Sequence, residues 1–161
     1  PIKPMNGMIL IIDDEPGTFG LHKVYFGKRH YGTEVINSVD EAIEFFKEPR
    51  FPVDCLIIDI MMPPGSELRD RGVKPGQAGY ALIDWLFEQQ GKVLGLARFA
   101  DVPIAIYTQT DASVARSFMD ELTKRSALKV SWNVWAKADS GPLGFVSSFL
   151  QWFESVRKTR R

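Results

Sequence analysis

The stretch Val53-Asp54-Cys55-Leu56-Ile57-Ile58-Asp59-Ile60-Met61-Met62-Pro63-Pro64 decides the fold of this chain. An apolar run of strand-forming residues ends at the carboxylate of Asp59, and the Met-Pro-Pro-Gly sequence that follows could not continue a central strand. Asp59 is therefore expected at the carboxyl end of a buried strand. Because open α/β sheets bind ligands in a crevice outside these strand ends, the stretch also predicts where the chemistry lies.

Segments with strand character alternate with helical segments along the rest of the chain. The strands are predicted at residues 8–12, 33–37, 53–59, 102–108 and 129–137, and the helices at residues 18–29, 38–48, 79–90, 111–126 and 143–158. Such alternation is typical of right-handed βαβ units, which build a parallel sheet. Residues 91–100 could either continue the third helix or form a packed connector.

The spacing of apolar residues predicts which face of a helix packs on the sheet. The last helix has the clearest pattern, with apolar side chains at i, i+3, i+4 and i+7, namely Val146, Phe149, Leu150 and Phe153. The first helix has a weaker pattern, whose inner side is predicted to hold Leu21, Val24 and Tyr25. His22 and His30 lack the spacing of metal ligands, so surface roles are expected for both.

Composition excludes several classes of function. The chain has 161 residues, 45% hydrophobic and 25% charged, which is typical of one soluble domain. Its 20 basic and 20 acidic side chains cancel, so no overall charge favours direct nucleic-acid or membrane binding by this domain. The single cysteine, Cys55, precludes an intrachain disulfide and favours a cytoplasmic setting. No apolar run approaches the ~20 residues that span a bilayer.

The domain is expected over residues 8–156. Residues 1–7 do not begin with methionine and are interpreted as an added or disordered tail. Residues 157–161 read Arg-Lys-Thr-Arg-Arg, a basic end that is either solvated or a linker cut from a longer regulator.

Polar side chains follow four of the predicted strands. Asp13 and Asp14 follow the first strand, Asp59 ends the third, Thr108 the fourth and Lys137 the fifth. These strand ends meet at one crevice, where three close carboxylates cannot all stay charged without compensation. A hard divalent cation that prefers oxygen ligands, such as Mg²⁺, would supply it. A lysine beside such a site is suited to a phosphoryl group.

This arrangement resembles the CheY-like receiver domain of two-component response regulators. The matching residues are Asp13-Asp14, Asp59 with Met62-Pro63 after it, Gly79 opening the third helix, Thr108 and Lys137. The resemblance extends over about residues 8–156. It implies the flavodoxin-like receiver fold, an α/β fold whose (βα)5 doubly wound parallel five-stranded sheet has strand order 2-1-3-4-5.

The resemblance implies a phosphoacceptor switch rather than an enzyme. Asp59 would take a phosphoryl group from a histidine kinase or a phosphotransfer protein. Mg²⁺ would be held by Asp14, Asp59 and the main-chain carbonyl of Met61, while Asp13 would act through a bound water. Mg²⁺-dependent self-phosphorylation and autodephosphorylation would be the only reactions of the domain.

The resemblance also implies how the signal would leave the site. Lys137 would neutralise charge on the phosphoryl oxygens, and Thr108 would hydrogen-bond the attached group and reshape the face formed by the fourth helix, fifth strand and fifth helix. That change would alter affinity for a downstream protein or a removed effector domain. A homodimer through the same face is also expected, because the last helix has surplus apolar side chains, namely Phe145, Phe149, Trp152 and Phe153.

Several residues depart from the family pattern. Gln109 stands where a small residue is usual, Ala138 where proline is common, and Val134 where an aromatic switch residue often precedes Lys137 by three positions. The loop after the acceptor aspartate is extended over residues 64–77, and it could screen the site, select the phosphodonor or be a solvated loop. These departures keep open an alternative function, a phosphorylation-independent protein interaction module.

A phosphatase or flavin enzyme is disfavoured, since neither a second catalytic acid nor a flavin phosphate loop is evident.

Overall fold

The computed structural model describes residues 5–71, 76–127 and 129–159. Within these ranges the chain forms one sheet of five strands, β1 (Gly7–Ile12), β2 (Tyr31–Ile36), β3 (Cys55–Ile58), β4 (Ile104–Thr108) and β5 (Trp132–Ala136). The strands are parallel and lie in the order β2-β1-β3-β4-β5. The predicted doubly wound α/β fold and its strand order are confirmed.

In the described part of the chain, five α-helices connect and follow the strands, α1 (Gly20–Lys28), α2 (Val39–Lys47), α3 (Ala78–Glu88), α4 (Ala112–Arg125) and α5 (Pro142–Thr159). Two begin at side-chain caps, because Ser38 accepts a hydrogen bond from the Glu41 amide and Asp111 from the Ser113 amide. The segment that the sequence left ambiguous is a packed connector. It contains the 3₁₀ turn Leu94–Phe99 rather than a continuation of α3.

The sheet separates two apolar layers. In β1, Leu10 and Ile12 pack in the layer beneath α2, α3 and α4, whereas Ile9 and Ile11 pack in the layer beneath α1 and α5. Successive strand side chains point to opposite faces, so a strand buried on both faces reads as an unbroken apolar run. This arrangement explains why the predicted strands were recognisable, and it leaves the strand ends as the place for polar groups.

The predicted inner face of α1 is wrong for Leu21 and Val24, whereas Tyr25 is partly buried against the core as predicted. Leu21 is 57% exposed and Val24 is 50% exposed, whereas His22 and Phe26 are buried. A 3₁₀ turn at Pro16–Phe19 leads into the helix and buries Phe19, so that positions 19, 22 and 26 form the inward stripe. Large rings on this stripe bury more apolar area than the leucine and valine beside them. The surface role predicted for His22 is therefore also wrong, although His30 is exposed as expected.

The apolar surplus predicted on the last helix is not present. Phe145, Phe149 and Phe153 are fully buried in the chain's own core, and Trp152 is partly buried beside them. Phe149, for example, packs edge-on against Phe26 of α1 with ring centroids 5.6 Å apart. These side chains therefore cannot supply an exposed dimerisation surface, and that argument for a homodimer is wrong.

The two predicted terminal segments, residues 1–7 and 157–161, are only partly described, since residues 1–4 and 160–161 lie outside the described residues. Within the described part, Gly7 already belongs to β1, and Arg157 lies on α5, where it donates a 2.8 Å hydrogen bond to the Asn6 carbonyl. The boundaries at residues 8 and 156 stay predictions. None of the helices in the described ranges has the length and apolarity required to cross a bilayer.

Candidate functional site

Backbone hydrogen bonds place two of the acidic residues side by side at one edge of the sheet. The Asp59 amide donates to the Ile12 carbonyl and the Asp13 amide to the Ile36 carbonyl, both at 3.0 Å, so each residue extends its strand ladder by one position. Since β1 and β3 are adjacent and in register, the side chains of Asp13 and Asp59 emerge next to each other.

The structure brings four of the predicted site residues together. Carboxylate oxygens of Asp13, Asp14 and Asp59 all lie within 4.8 Å of one another. The Lys137 ammonium lies 2.7 Å from Asp13 Oδ2 and 3.4 Å from Asp59 Oδ2. Asp13 and Asp59 are buried, whereas Asp14 is exposed at the rim. The cluster is therefore a crevice with one open side.

Short backbone contacts fix the two buried carboxylates. Asp13 Oδ1 accepts a 2.9 Å hydrogen bond from the Glu15 amide, and Asp59 Oδ1 accepts one of 3.1 Å from the Met61 amide. In each case an aspartate binds the amide two residues later, which turns the chain away from the strand. The contact also holds the Met61 backbone beside Asp59, while the Met61 side chain is exposed.

Thr108 lies at the end of β4 and is fully buried. Its hydroxyl lies 3.2 Å from the Thr110 hydroxyl and accepts a 3.3 Å hydrogen bond from the Thr110 amide. The hydroxyl also interacts with the Asp59 carboxylate and lowers its pKa. Gln109, which follows, is exposed. Thr108 thus touches both the acidic cluster and the loop after β4.

The acidic cluster carries more negative charge than its lysine neutralises. Burial and the charge of Asp13 raise the pKa of Asp59 to about 6, against the lowering effects of Lys137, the Met61 amide and Thr108. Burial lowers the pKa of Lys137, but its contacts with Asp13 and Asp59 outweigh this and raise that pKa above its ordinary value. Three carboxylates facing one ammonium form an oxygen-rich, electron-rich site that fits a divalent cation such as Mg²⁺.

Gly79 is required where α3 meets the segment after Asp59. Its amide donates a 3.0 Å hydrogen bond to the Ile60 carbonyl. A Cβ at this position would overlap the Asp59 carbonyl oxygen and lie 2.5 Å from Ile60 Cα. Only glycine allows this close approach of two backbones, and the approach helps to fix the position of Asp59.

The structure describes residues 64–71 and 76–77 of the extended loop, and residues 72–75 lie outside the described residues. Residues 64–71 are anchored on α2 through Asp40 and on α3 through the Arg71–Glu88 ion pair. Asp40 at the start of α2 accepts hydrogen bonds from the Ser66 amide, the Ser66 hydroxyl and the Glu67 amide, at 2.9 to 3.1 Å. These bonds lower the pKa of Asp40. Leu68 is buried in the core between the helices. Residues 66, 67 and 69–71 are exposed, so this part of the loop is solvated on its outer side but held on α2 by Asp40. Whether the loop screens the site or selects the phosphodonor stays a prediction.

One part of the site was not predicted from the sequence. The Lys137 ammonium lies over the rings of Phe19 and Tyr107, which belong to the apolar layer beneath α1 and α5. Tyr107 directly precedes Thr108 in β4, and alternation along a strand would have placed it on the opposite face from its neighbours. Strand alternation could therefore have predicted the face on which Tyr107 lies. It could not have predicted that the Lys137 side chain passes over the Tyr107 ring.

No protein-family model matches the chain. A relative named response regulator GtcR, from Aneurinibacillus migulanus, is 28% identical over 123 residues, which cover 71% of this chain and 50% of that protein. The chain therefore spans about half the length of the curated relative that it matches.

Solved structures of receiver proteins are similar over nearly the whole chain. The Vibrio cholerae chemotaxis response regulator CheY4 has a TM-score of 0.60 at 16% identity, covering 91% of this chain and 98% of that chain. The receiver domain of Francisella response regulator 1452 has a TM-score of 0.60 at 18% identity, covering 97% and 100%. The predicted resemblance is confirmed, and the chain has the fold of CheY-like response regulator receiver domains.

Proposed function

We propose that this chain is the phosphoacceptor domain of a two-component phosphorelay, with Asp59 as the acceptor. The observation that carries the proposal is the cluster of Asp13, Asp14 and Asp59 at the carboxyl edge of the sheet, in which Asp13 and Asp59 both pair with Lys137. The receiver fold and the response-regulator relative support the same reading. A cytoplasmic location and a histidine kinase or phosphotransfer protein as phosphodonor follow from this proposal.

In the proposed reaction an Asp59 carboxylate oxygen attacks the phosphorus of a phosphohistidine. An oxygen–phosphorus bond forms, the nitrogen–phosphorus bond breaks, and the imidazole leaves with the electron pair. Asp59 Oδ1 accepts a hydrogen bond from the Met61 amide, and Asp59 Oδ2 accepts one from the Lys137 ammonium. These two contacts hold the carboxylate in one orientation, which reduces the entropy lost in reaching the reactive geometry.

Asp14, Asp59 and the Met61 carbonyl would hold Mg²⁺, with Asp13 acting through a water molecule. Bound Mg²⁺ supplies positive charge that neutralises the phosphoryl oxygens during transfer. The carboxylate set supports this assignment because burial and the neighbouring charge of Asp13 together raise the pKa of Asp59, and a bound cation would offset both effects.

Lys137 and Thr108 would respond to the new group on Asp59. Lys137 pairs with both buried carboxylates and could redirect its hydrogen bonds to the added oxygens without leaving the crevice. Thr108 touches the cluster and the Thr110 loop, so a bond from its hydroxyl to the phosphoryl group would pull on the loop that leads to α4. A downstream protein or an effector domain would sense that change.

The proposal is tested by intact-mass spectrometry with a small phosphodonor such as acetyl phosphate. Wild-type protein with Mg²⁺ should gain one phosphoryl group, and the gain should disappear with EDTA or in Asp59→Asn. An Asp54→Asn variant is a matched control, since Asp54 lies at the opposite end of β3 from Asp59 and pairs with Arg157. Wild-type protein that gains no mass under donor excess would contradict the proposal.

Val134 favours a second candidate, a constitutive interaction module. Val134 occupies the position of the aromatic switch residue and is buried in the core. The neighbouring Trp135 is held on the other face, where it donates a 3.0 Å hydrogen bond to the Ser148 hydroxyl of α5. An aromatic side chain that swings in response to Thr108 is therefore lacking at position 134. Binding titrations of a partner with phosphorylated and unphosphorylated protein separate the two functions, because the module binds both forms equally.

A further inference from the structure

We propose that Phe19 and Tyr107 form an aromatic floor that positions the Lys137 ammonium over the acidic cluster. This proposal deepens the function proposed above and rests on it where it concerns phosphoryl transfer. We use the name aromatic floor for Phe19 and Tyr107, with His22 and Phe145 packed behind them. The two floor residues act through Lys137 and are therefore positioning residues.

The floor lies along the path that the lysine side chain must take. Lys137 follows β5 at one edge of the sheet, whereas Asp13 follows β1, and β4 and β3 lie between them. Neighbouring strands are roughly 4.8 Å apart, so the side chain has to extend across the end of β4 to reach Asp13. Tyr107 belongs to β4 and its ring lies beneath that path.

The ammonium is close enough to both rings for an attractive interaction. Lys137 Nζ lies 5.5 Å from the ring centroid of Tyr107 and 5.7 Å from that of Phe19. Both distances are within the roughly 6 Å at which a cation is attracted to the face of an aromatic ring. The lysine side chain is only 15% exposed, so water weakens this attraction less than it would at an open surface.

The rings themselves are fixed by their neighbours. Tyr107 stacks on Phe145 of α5 with centroids 3.8 Å apart and an angle of 14° between the planes. Its hydroxyl lies 3.2 Å from His22 Nε2, and His22 packs against Phe19 at 4.9 Å. The two floor residues and the two side chains behind them come from the turn before α1, from α1, from β4 and from α5, and all four are buried. A surface built from four elements cannot follow the lysine if it moves.

An aromatic floor suits this lysine for a chemical reason. The face of a ring stabilises positive charge without accepting a conventional hydrogen bond, so the ammonium donors stay directed at Asp13 and Asp59. A carboxylate at the same place would compete for those donors. Burial lowers the pKa of His22, and the resulting neutral imidazole adds no second positive charge beside the lysine.

The experiment varies the charge on the ring face while keeping the ring shape. Phenylalanine analogues with one, two and three fluorine atoms are introduced at position 19, and the rate of Mg²⁺-dependent labelling by acetyl phosphate is measured. The rate should fall with each fluorine atom, by about 3- to 10-fold over the series, because fluorine weakens the attraction of the ring for a cation. A rate that is unchanged across the series would overturn the proposal.

Substitutions provide an independent comparison. Tyr107→Phe keeps the ring face and should retain most of the rate, whereas Tyr107→Leu should lose about as much as the full fluorine series. Phe149→Leu is the matched control, since Phe149 is fully buried in the same apolar layer and has no contact with Lys137 among those described. Equal losses in Tyr107→Leu and Phe149→Leu, at matched folded fraction, would show that only packing matters and would overturn the proposal.

A second readout does not depend on phosphorylation. Protons on the ε-carbon of Lys137 should show an upfield ring-current shift in the NMR spectrum, and this shift should decrease in Tyr107→Leu but not in Phe149→Leu. If these protons have the chemical shifts of an ordinary solvent-exposed lysine in the wild-type protein, the proposal that Lys137 lies on the aromatic floor is contradicted. Upfield shifts in a protein that takes no phosphoryl group would instead uphold the floor and count against the proposed function.

Discussion

The Lys137 ammonium is paired more closely with Asp13, at 2.7 Å, than with Asp59, at 3.4 Å. The lysine therefore neutralises the neighbour of the acceptor first, and the acceptor is left with part of its charge uncompensated. This geometry leaves the Lys137 contact too weak to offset burial and the charge of Asp13, which raise the pKa of Asp59 to about 6. It also leads to predictions on stability that do not require any phosphodonor.

Replacing Lys137 with methionine should destabilise the fold. The variant keeps the length of the side chain but leaves Asp13, which is buried, without its partner. Breaking a buried pair in this way costs about 3 kcal/mol, and urea unfolding in EDTA would measure it. Arg29→Met is the matched control, because the Arg29–Glu154 pair is exposed and should contribute less than about 1 kcal/mol. A loss no larger than that of the control would contradict the expectation.

Replacing Asp59 with asparagine should stabilise the fold at pH 7 in EDTA. The pKa of Asp59 rises from 3.8 to about 6 on folding, so the folded chain binds the proton more tightly and the charged carboxylate costs stability above pH 6. Asparagine removes this cost, worth about 1 to 3 kcal/mol. The advantage should shrink as the pH falls from 6 towards 3.8, and Mg²⁺ should reduce it. A variant less stable than wild type at pH 7 in EDTA would show that the carboxylate is not electrostatically strained.

Replacing Asp14 with asparagine should weaken Mg²⁺ binding. Asp14 is the exposed member of the carboxylate cluster and the one on the open side of the crevice. Loss of a direct ligand should cost at least about tenfold in affinity, because even outer contacts of metal sites contribute that much. Isothermal titration calorimetry would measure the change. Glu15→Gln is the control, since Glu15 is exposed next to Asp14 but lies outside the cluster; equal effects of both changes would contradict the assignment.

Replacing Gly65 with alanine should loosen the anchored loop. Gly65 has a φ of +67°, and a Cβ there would lie 2.6 Å from Asp40 Oδ1, so the anchor on α2 would have to shift. Gly76→Ala is the matched control, because Gly76 has a φ of +74° but nothing within 4 Å of the added atom. Both variants should lose about 1 kcal/mol from the left-handed backbone. Only Gly65→Ala should become sensitive to trypsin at Arg69 and Arg71, and equal cleavage of both variants would contradict the anchor.

The fold and the acidic cluster could be predicted because their signals are local. The run that ends at Asp59 is apolar throughout, since β3 is buried on both faces, and a polar residue that closes such a run marks a strand end. Topology then brings Asp13, Asp59 and Lys137 together without any further information. Gly79 was recognised from its place in the motif, and the overlap that a Cβ would cause explains its presence.

The contacts that escaped prediction depend on tertiary structure. The weak apolar pattern of α1 could not show that a 3₁₀ turn would rotate His22 and Phe26 inward. Asp40 reads as a favourable acid in the first turn of α2, and nothing near it in sequence indicates that it anchors Ser66, 26 residues later. Such contacts arise when one element covers another, and residue spacing within a single element does not encode them.

The central claim, that Asp59 accepts the phosphoryl group, is tested most directly by locating the modified residue. Protein labelled by acetyl phosphate with Mg²⁺ is reduced with borohydride, which converts an aspartyl phosphate to homoserine, and its peptides are sequenced by mass spectrometry. We expect homoserine at position 59 only, and none when Mg²⁺ is replaced by EDTA. Homoserine at position 13 or 14, or its absence from every peptide of a fully folded sample, would contradict the assignment of Asp59 as the acceptor.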